Sequence, residues 1–305
     1  MNDQTVKSPV ADHGTGYREI RWPLKHLVLA GLHWPCKAPG RDRPPVVMLH
    51  GWLDNSLTFA KLAPVLAEGA DTYALDLPGH GHSDHRHASQ SYLLVDYVAD
   101  LAELLDTHIK TPVDLVAHSL GGVIAMLYAA TFPENVRRLV VIDSFGPLSR
   151  QADDVVPQLR RAILKRHAGS GASPLYPSVE SAAKVRAGGL SPLSHEAAHI
   201  LVPRNLQAVD GGYRWRTDAR LRHPSMMMFD EQQVLAVLKT IGTDTLLVRA
   251  EQGLLAAASE RYQARLAVVP KLTSVTVPGG HHCHLDGPIE PVATAVTDFL
   301  GKQHD

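Results

Sequence analysis

The sequence predicts an α/β protein: a mostly parallel, doubly wound sheet with a mostly helical segment inserted late in the chain. Three observations lead there. Short apolar, β-branched runs alternate with segments of helical apolar spacing from about residue 45 to residue 143. The alternation stops between residues 144 and 225 and then resumes. Strands that alternate with helices in this way run parallel, because each crossover helix has to lie over a face of the sheet.

Tyr17–Trp22 and Lys25–Trp34 read as strands, and the Pro-, Gly- and charge-rich Cys36–Pro45 as a turn. Pro45–His50 is a buried strand, Thr58–Glu68 a helix and Thr72–Leu77 a strand. Tyr92–His108 carries Leu94, Val98, Leu101, Leu104 and Leu105 on one side of a helix. Pro112–His118 is a strand, Leu120–Phe132 a helix and Val136–Asp143 a strand. The inserted stretch is rich in Arg, Ser, Pro and Gly, with helical pieces at Arg160–His167 and Ser194–Val202. Helix Glu231–Leu238, strand Thr245–Arg249, helix Leu255–Val268, strand Leu272–Val277 and helix Glu290–Leu300 complete the pattern. The organisation that follows is a tail at 1–16, a core at 17–143 and 226–305, and a cap at 144–225.

With 305 residues the chain can hold two average domains, or one large α/β domain with an insertion. Thirty basic against 31 acidic residues give a net charge of −1, which argues against nucleic-acid and anionic-membrane partners. Cys36 and Cys283 lie far apart and exclude a disulfide framework, and a reduced compartment is the simpler reading. The N-terminus lacks an apolar signal core, and no apolar run reaches the roughly 18 residues of a membrane helix. A cytoplasmic protein is the expectation. Nothing in the sequence specifies an oligomeric state.

The strongest chemical signal is Val116-Ala117-His118-Ser119-Leu120-Gly121-Gly122, between a strand and a helix. Small residues two before and two after a serine allow a sharp turn that leaves the hydroxyl proud of the sheet, in the manner of G-x-S-x-G. Ala117 stands in for the first glycine. The helix start supplies free N–H groups suited to an oxyanion. The bland alternative is a small-residue turn opening an ordinary helix. His50-Gly51-Trp52-Leu53-Asp54-Asn55 follows a buried strand, so Trp52 N–H and Leu120 N–H form a candidate oxyanion hole. His50, Gly51 and His118 flank these turns and are candidate substrate contacts.

A base for Ser119 comes from Pro278-Gly279-Gly280-His281-His282-Cys283-His284, because an imidazole can take a serine proton near neutral pH. His281 is preferred, His282 is the alternative and His284 is third. The orienting acid is Asp143, at the end of Val140-Val141-Ile142-Asp143, or else Glu251 after the next core strand. Either carboxylate also makes sense as a plain strand-end residue.

His80-Gly81-His82-Ser83-Asp84-His85 matches H-x-H-x-D-H, so His80, His82, Asp84 and His85 are a remote zinc-hydrolase alternative. Met226-Met227-Met228-Phe229 and Trp215 could line an acyl pocket, with Met228 and Trp215 as the named positions, although Met runs are more often core filler. Arg214, Arg216, Arg220 and Arg222 could meet an anionic substrate, but a solvated face is the preferred reading.

With these residues placed, the chain resembles the α/β-hydrolase superfamily over about residues 20 to 301. His50–Asn55, Asp76-Leu77-Pro78-Gly79-His80-Gly81-His82-Ser83, Ala117–Gly122 and Pro278–His284 occur in that superfamily's order. The second piece is a common loop there, which makes the zinc spacing a coincidence. Within the superfamily the chain is most similar to the serine hydrolase-like proteins, through His50–Asn55, the late Gly-x-His ending and Gly212–Leu221. The resemblance implies ester hydrolysis through a Ser-His-acid triad and an acyl-enzyme, without metal or organic cofactor, on a small-molecule substrate. It also implies His281 as base, by its spacing to Pro288. One departure stands out: many relatives carry the acid as G-x-x-D after the strand equivalent to Thr245–Arg249, where this chain has Gly253. That favours Asp143. Because fold does not fix function, C–C bond, amide or lactone hydrolysis and a non-catalytic binding role remain alternatives.

Overall fold

The computed structural model describes residues 16–38, 43–256 and 260–302. The tail expected at 1–16 and the junction after Leu255 fall largely outside these ranges. The strands are β1 (Arg18–Pro23), β2 (Val28–Trp34), β3 (Val46–Leu49), β4 (Thr72–Leu75), β5 (Val113–His118), β6 (Val136–Ile142), β7 (Leu206–Val209), β8 (Gly212–Trp215), β9 (Asp244–Gln252) and β10 (Leu272–Gly280). The helices are α1 (Ala63–Leu66), α2 (Leu94–Leu104), α3 (Leu120–Thr131), α4 (Val155–Ala168), α5 (Val179–Ala187), α6 (His195–Leu201), α7 (Glu231–Lys239), α8 (Glu260–Val268) and α9 (Glu290–Gly301). None of the described helices is long and apolar enough to cross a membrane.

Eight strands form one sheet in the order β1-β2-β4-β3-β5-β6-β9-β10, and every pairing from β4 to β10 is parallel. The central strands are apolar on both faces. Val47 and Leu49 of β3, Leu115 and Ala117 of β5, and Leu139 and Val141 of β6 pack with Leu101, Ile124, Tyr128, Val234 and Leu238 from α2, α3 and α7. The alternate residues Val46, Met48, Val116, Val140 and Ile142 pack with Ala63, Leu66, Val292, Val296 and Phe299 from α1 and α9. The period-two side-chain alternation thus feeds two helical layers.

Where the chain differs from expectation, a local cause is visible. The helix expected over Thr58–Glu68 breaks into a 3-10 turn at Ser56–Phe59 and the four-residue α1. Pro64 lacks an N–H and sits in the first turn of α1, where that donor is not needed. The insertion contains α4, α5 and α6, and also the antiparallel hairpin β7–β8. Leu206–Val209 and α5 carry weak apolar periods and gave no clear signal. Both pack into a separate cluster built on Ala182, Ala183, Ala197, Ala198, Leu201 and Leu206.

Candidate active site

Because β3, β5, β6 and β10 run parallel, the residues that follow them emerge at one edge of the sheet, where α/β folds place their ligands. Ser119 follows β5 with φ +52° and ψ −116°, a strained backbone for a residue with a side chain. Two hydrogen bonds hold it there: Ser119 N–H donates to Ile142 O at 3.2 Å, and the Ser144 hydroxyl donates to Ser119 O at 2.8 Å. Close packing holds the turn as well. A methyl group on Gly121 would lie 2.2 Å from Leu49 O, and one on Gly51 would lie 3.2 Å from Ser119 Cβ. The loop after β3 is thereby pressed against the serine. Among the described residues neither Trp52 N–H nor Leu120 N–H has an acceptor, and the Trp52 indole N–H is tied to Leu221 O of the inserted segment at 3.0 Å.

Asp143 follows β6 with φ +47° and is fully buried. His281 Nδ1–H donates to its Oδ2 at 2.7 Å. The same carboxylate accepts Leu254 N–H at 2.7 Å and Ala250 N–H at 3.4 Å. Gly253 explains how it fits, since a methyl group there would sit 2.2 Å from Asp143 Oδ2. The residue at which this chain departs from the G-x-x-D pattern is the one whose missing side chain leaves room for the carboxylate from β6. Glu251, the alternative acid, is exposed at the end of β9 and bonds no histidine among the described residues.

With Nδ1–H given to Asp143, the lone pair of the ring's base form lies on Nε2. Ser119 and His281 share no direct hydrogen bond; they are joined through His118, whose Nε2–H donates to His281 O at 2.9 Å. His118 is fully buried, and its Nδ1 has no hydrogen-bond partner among the described residues. Burial, reinforced by the neighbouring rings of His284, His281 and His282, holds its pKa well below the usual imidazole value. His118 is therefore a neutral brace between the serine's strand and the histidine loop, its ring closed off from solvent.

His282, the alternative base, has both nitrogens committed. Nε2–H donates to Asp54 Oδ2 at 2.9 Å, and Nδ1 accepts from Ser191 Oγ at 3.2 Å. Asp54 is buried, which alone would raise its pKa. His282 and Arg186, whose Nη2 donates to Asp54 Oδ1 at 2.9 Å, outweigh that and hold it well below the usual range. His284 bonds Thr58 Oγ1 through Nε2 at 3.0 Å and is fully buried.

The other candidate residues have these surroundings. His50 accepts Leu77 N–H through Nε2 at 2.9 Å and donates Nδ1–H to Gly51 O at 2.7 Å, so it shapes the loop and has no nitrogen left for a substrate. Trp215 packs within the cluster of the inserted segment, its indole N–H donating to Tyr176 OH at 3.1 Å. Met228 is half-buried beside Phe229, which packs on the main core. The zinc alternative disperses. His80 is buried with Nδ1–H on Pro78 O at 3.1 Å, and burial pushes its pKa down to about 3. Asp84 Oδ2 accepts Val28 N–H, and His85 Nε2–H donates to Arg216 O. His82 gives its backbone N–H to Asp76, whose buried carboxylate also takes Ser56 N–H and the Arg204 guanidinium. That segment is a scaffold. Cys283 is buried, and burial pushes its thiol up to about 12, which removes it as a nucleophile. The Asp54 brace was the part that sequence reasoning missed; only its place in His50–Asn55 hinted at it.

The profile of the α/β hydrolase fold family matches residues 44–288. A serine hydrolase-like protein of Danio rerio is 33% identical over 93% of this chain and 89% of its own length. A hypothetical protein of Pseudomonas aeruginosa superposes with a TM-score of 0.87 at 38% identity, covering 93% of this chain and 99% of its own. A thioesterase domain from the curacin biosynthetic pathway superposes with a TM-score of 0.81 at 25% identity, over 94% and 99%. The chain thus belongs to the α/β hydrolase fold family, as a hydrolase most like the serine hydrolase-like proteins.

Proposed function

We propose that the chain is a serine hydrolase of carboxylic esters, with Ser119 as nucleophile, His281 as base and Asp143 as the orienting acid. The observation that carries this reading is the His281 Nδ1–Asp143 bond, which leaves Nε2 uncommitted on the sheet edge that holds the strained Ser119. Nε2 takes the Ser119 proton as Oγ bonds to the ester carbonyl carbon, and the carbonyl electron pair moves onto oxygen beside Trp52 N–H and Leu120 N–H. Each such donor is typically worth about 10²–10³ in rate. The tetrahedral species collapses, and the imidazolium gives its proton to the departing alcohol. Water, deprotonated by the same nitrogen, then attacks the acyl-enzyme, releasing the carboxylic acid and restoring Ser119.

A small-molecule ester is the proposed partner and the cytoplasm the proposed location. The unpaired Cys36 and Cys283 agree with a reducing compartment. The thioesterase neighbour places thioesters beside oxygen esters in any substrate panel, since both pass through the same acyl-enzyme. The test is turnover of p-nitrophenyl esters of graded chain length together with fluorophosphonate labelling. Ser119→Ala is expected to abolish labelling and to lower kcat by about 10⁶ while the chain stays folded. Turnover retained by that variant overturns the mechanism.

A further inference from the structure

On the outer side of the inserted segment, α5 and α6 pack through Ala182, Ala183, Ala197 and Ala198. His195 and His199 stand four residues apart on α6 and therefore share a face. Their rings lie 4.2 Å apart, and both face Glu180 in the first turn of α5. His195 Nε2 lies 2.8 Å from Glu180 Oε1, and His199 Nε2 lies 2.6 Å from Glu180 Oε2.

The tautomer of His199 is fixed. Its Nδ1 lies 2.8 Å from His195 O, and a carbonyl only accepts, so Nδ1 carries the proton. In the neutral ring Nε2 then holds a lone pair directed at a carboxylate oxygen. Two electron-rich atoms at that separation need a positive centre between them, either a second ring proton or a metal ion. A backbone carbonyl on the far nitrogen is the outer-shell support that metal-binding histidines use.

We propose that Glu180, His195 and His199 form a surface site for a borderline divalent transition ion such as Zn²⁺, which clamps α5 to α6. The three ligand atoms lie within 4.8 Å of one another. Tetrahedral zinc with bonds of 2.0–2.1 Å needs its ligands about 3.4 Å apart, so the atoms now at 2.6–2.8 Å must open by under about 1 Å. All three side chains are at least one-third exposed and free to rotate by that amount. Two imidazoles and one carboxylate favour Zn²⁺, Ni²⁺ or Cu²⁺ over Mg²⁺ or Ca²⁺. None of the three bonds Ser119, His281 or Asp143 among the described residues, so the site is structural. It fixes α5, the helix that sends Arg186 to Asp54.

The buried Asp54, His118 and His282 group also has suitable ligand atoms, but the Arg186 guanidinium already occupies it, with Nη2 within 3.4 Å of His282 Nε2. A guanidinium excludes a second cation.

The experiment is zinc titration of the metal-free, untagged full chain by calorimetry, with Tm followed in parallel. One saturable site is expected, together with a rise in Tm on adding Zn²⁺ but not Mg²⁺. His199→Ala and Glu180→Gln should each weaken binding by about tenfold or more and remove the Tm rise. His167→Ala, on an exposed face of α4, should change neither and controls for the other surface histidines. Equal zinc affinity in wild type and His199→Ala overturns the proposal, as does the absence of a saturable site. A proton is then the bridging charge.

Discussion

His281 and His282 are neighbours in the chain, and each holds a carboxylate, yet the two pairs are built for different work. His281 spends one nitrogen on Asp143, and 12% of its side chain remains exposed. His282 spends both nitrogens, on Asp54 and Ser191, and only 2% of its side chain is exposed. Among the described residues Asp143 is hydrogen-bonded by β9, the loop after it and the loop after β10, all parts of the core, whereas Asp54 also receives Arg186 from the inserted segment. The lesson is that the histidine–carboxylate motif alone does not identify a base. What counts is whether one ring nitrogen stays unspent and faces open space.

The sharpest break of this comparison uses the two acids. Asp143→Asn is expected to lower kcat/KM for ester substrates by about 10⁴ with little change in Tm, because an amide no longer fixes the ring with its lone pair on Nε2. Asp54→Ala is expected to do the opposite. It strands the Arg186 cation and frees both His282 and the loop after β3, costing about 3 kcal/mol of stability, while kcat of the folded protein falls less than tenfold. Parallel kinetics and urea unfolding separate the two effects. If Asp54→Ala proves as inactive as Asp143→Asn at unchanged stability, the assignment of roles is wrong.

The comparison also shows what the sequence could carry. The β5–α3 turn and its strained serine were legible because strand, small residues and helix are local and adjacent. The order of strands and helices was legible through apolar period. The acid was only half legible. Asp143 and Glu251 both end core strands, and the choice between them rests on a contact to His281, 138 positions away, that no local pattern encodes. The second pair was invisible for a like reason: Asp54, Arg186, Ser191 and His282 meet only through the tertiary fold. Trp215 misled because an aromatic residue in an insertion looks the same in sequence whether it lines a pocket or fills a small core.

A smaller effect sharpens the link between acid and glycine. Gly253→Ala puts a methyl group where the Asp143 carboxylate now lies, so either the carboxylate or the loop after β9 must move. Overpacking of this kind costs typically about 1–3 kcal/mol. Here the displacement falls on the His281 support, so kcat should drop by about 10², while Glu251→Gln, at the end of β9, should stay within twofold by the same assay. Full activity in Gly253→Ala would mean that the carboxylate has other room, and that the glycine is not what admits an acid from β6.

The smallest effect per group is set by pH, and it falls on the bracing side of the comparison. His118 and His284 are held well below the ordinary imidazole pKa, by burial first and then by neighbouring histidine rings, and His80 is held at about 3 by burial. Their unfolded value is near 6.5. Below that pH the unfolded chain binds protons that the folded chain refuses, so stability falls as pH falls. Each ring contributes a slope approaching about 1.4 kcal/mol per pH unit, which for His80 continues down to its folded value. Asp54 adds loss in the same direction at lower pH, because its carboxylate is stabilised as the anion. Tm is therefore expected to be level above pH 7 and to decline from about pH 6.5 towards pH 5. His284→Gln should shallow the decline, whereas Glu251→Gln should leave it unchanged. Thermal melts across that range provide the check, and a Tm that holds constant down to pH 5 would mean that the buried rings take up protons in the folded state, and hence that the bracing cluster is wetter and looser than its packing implies.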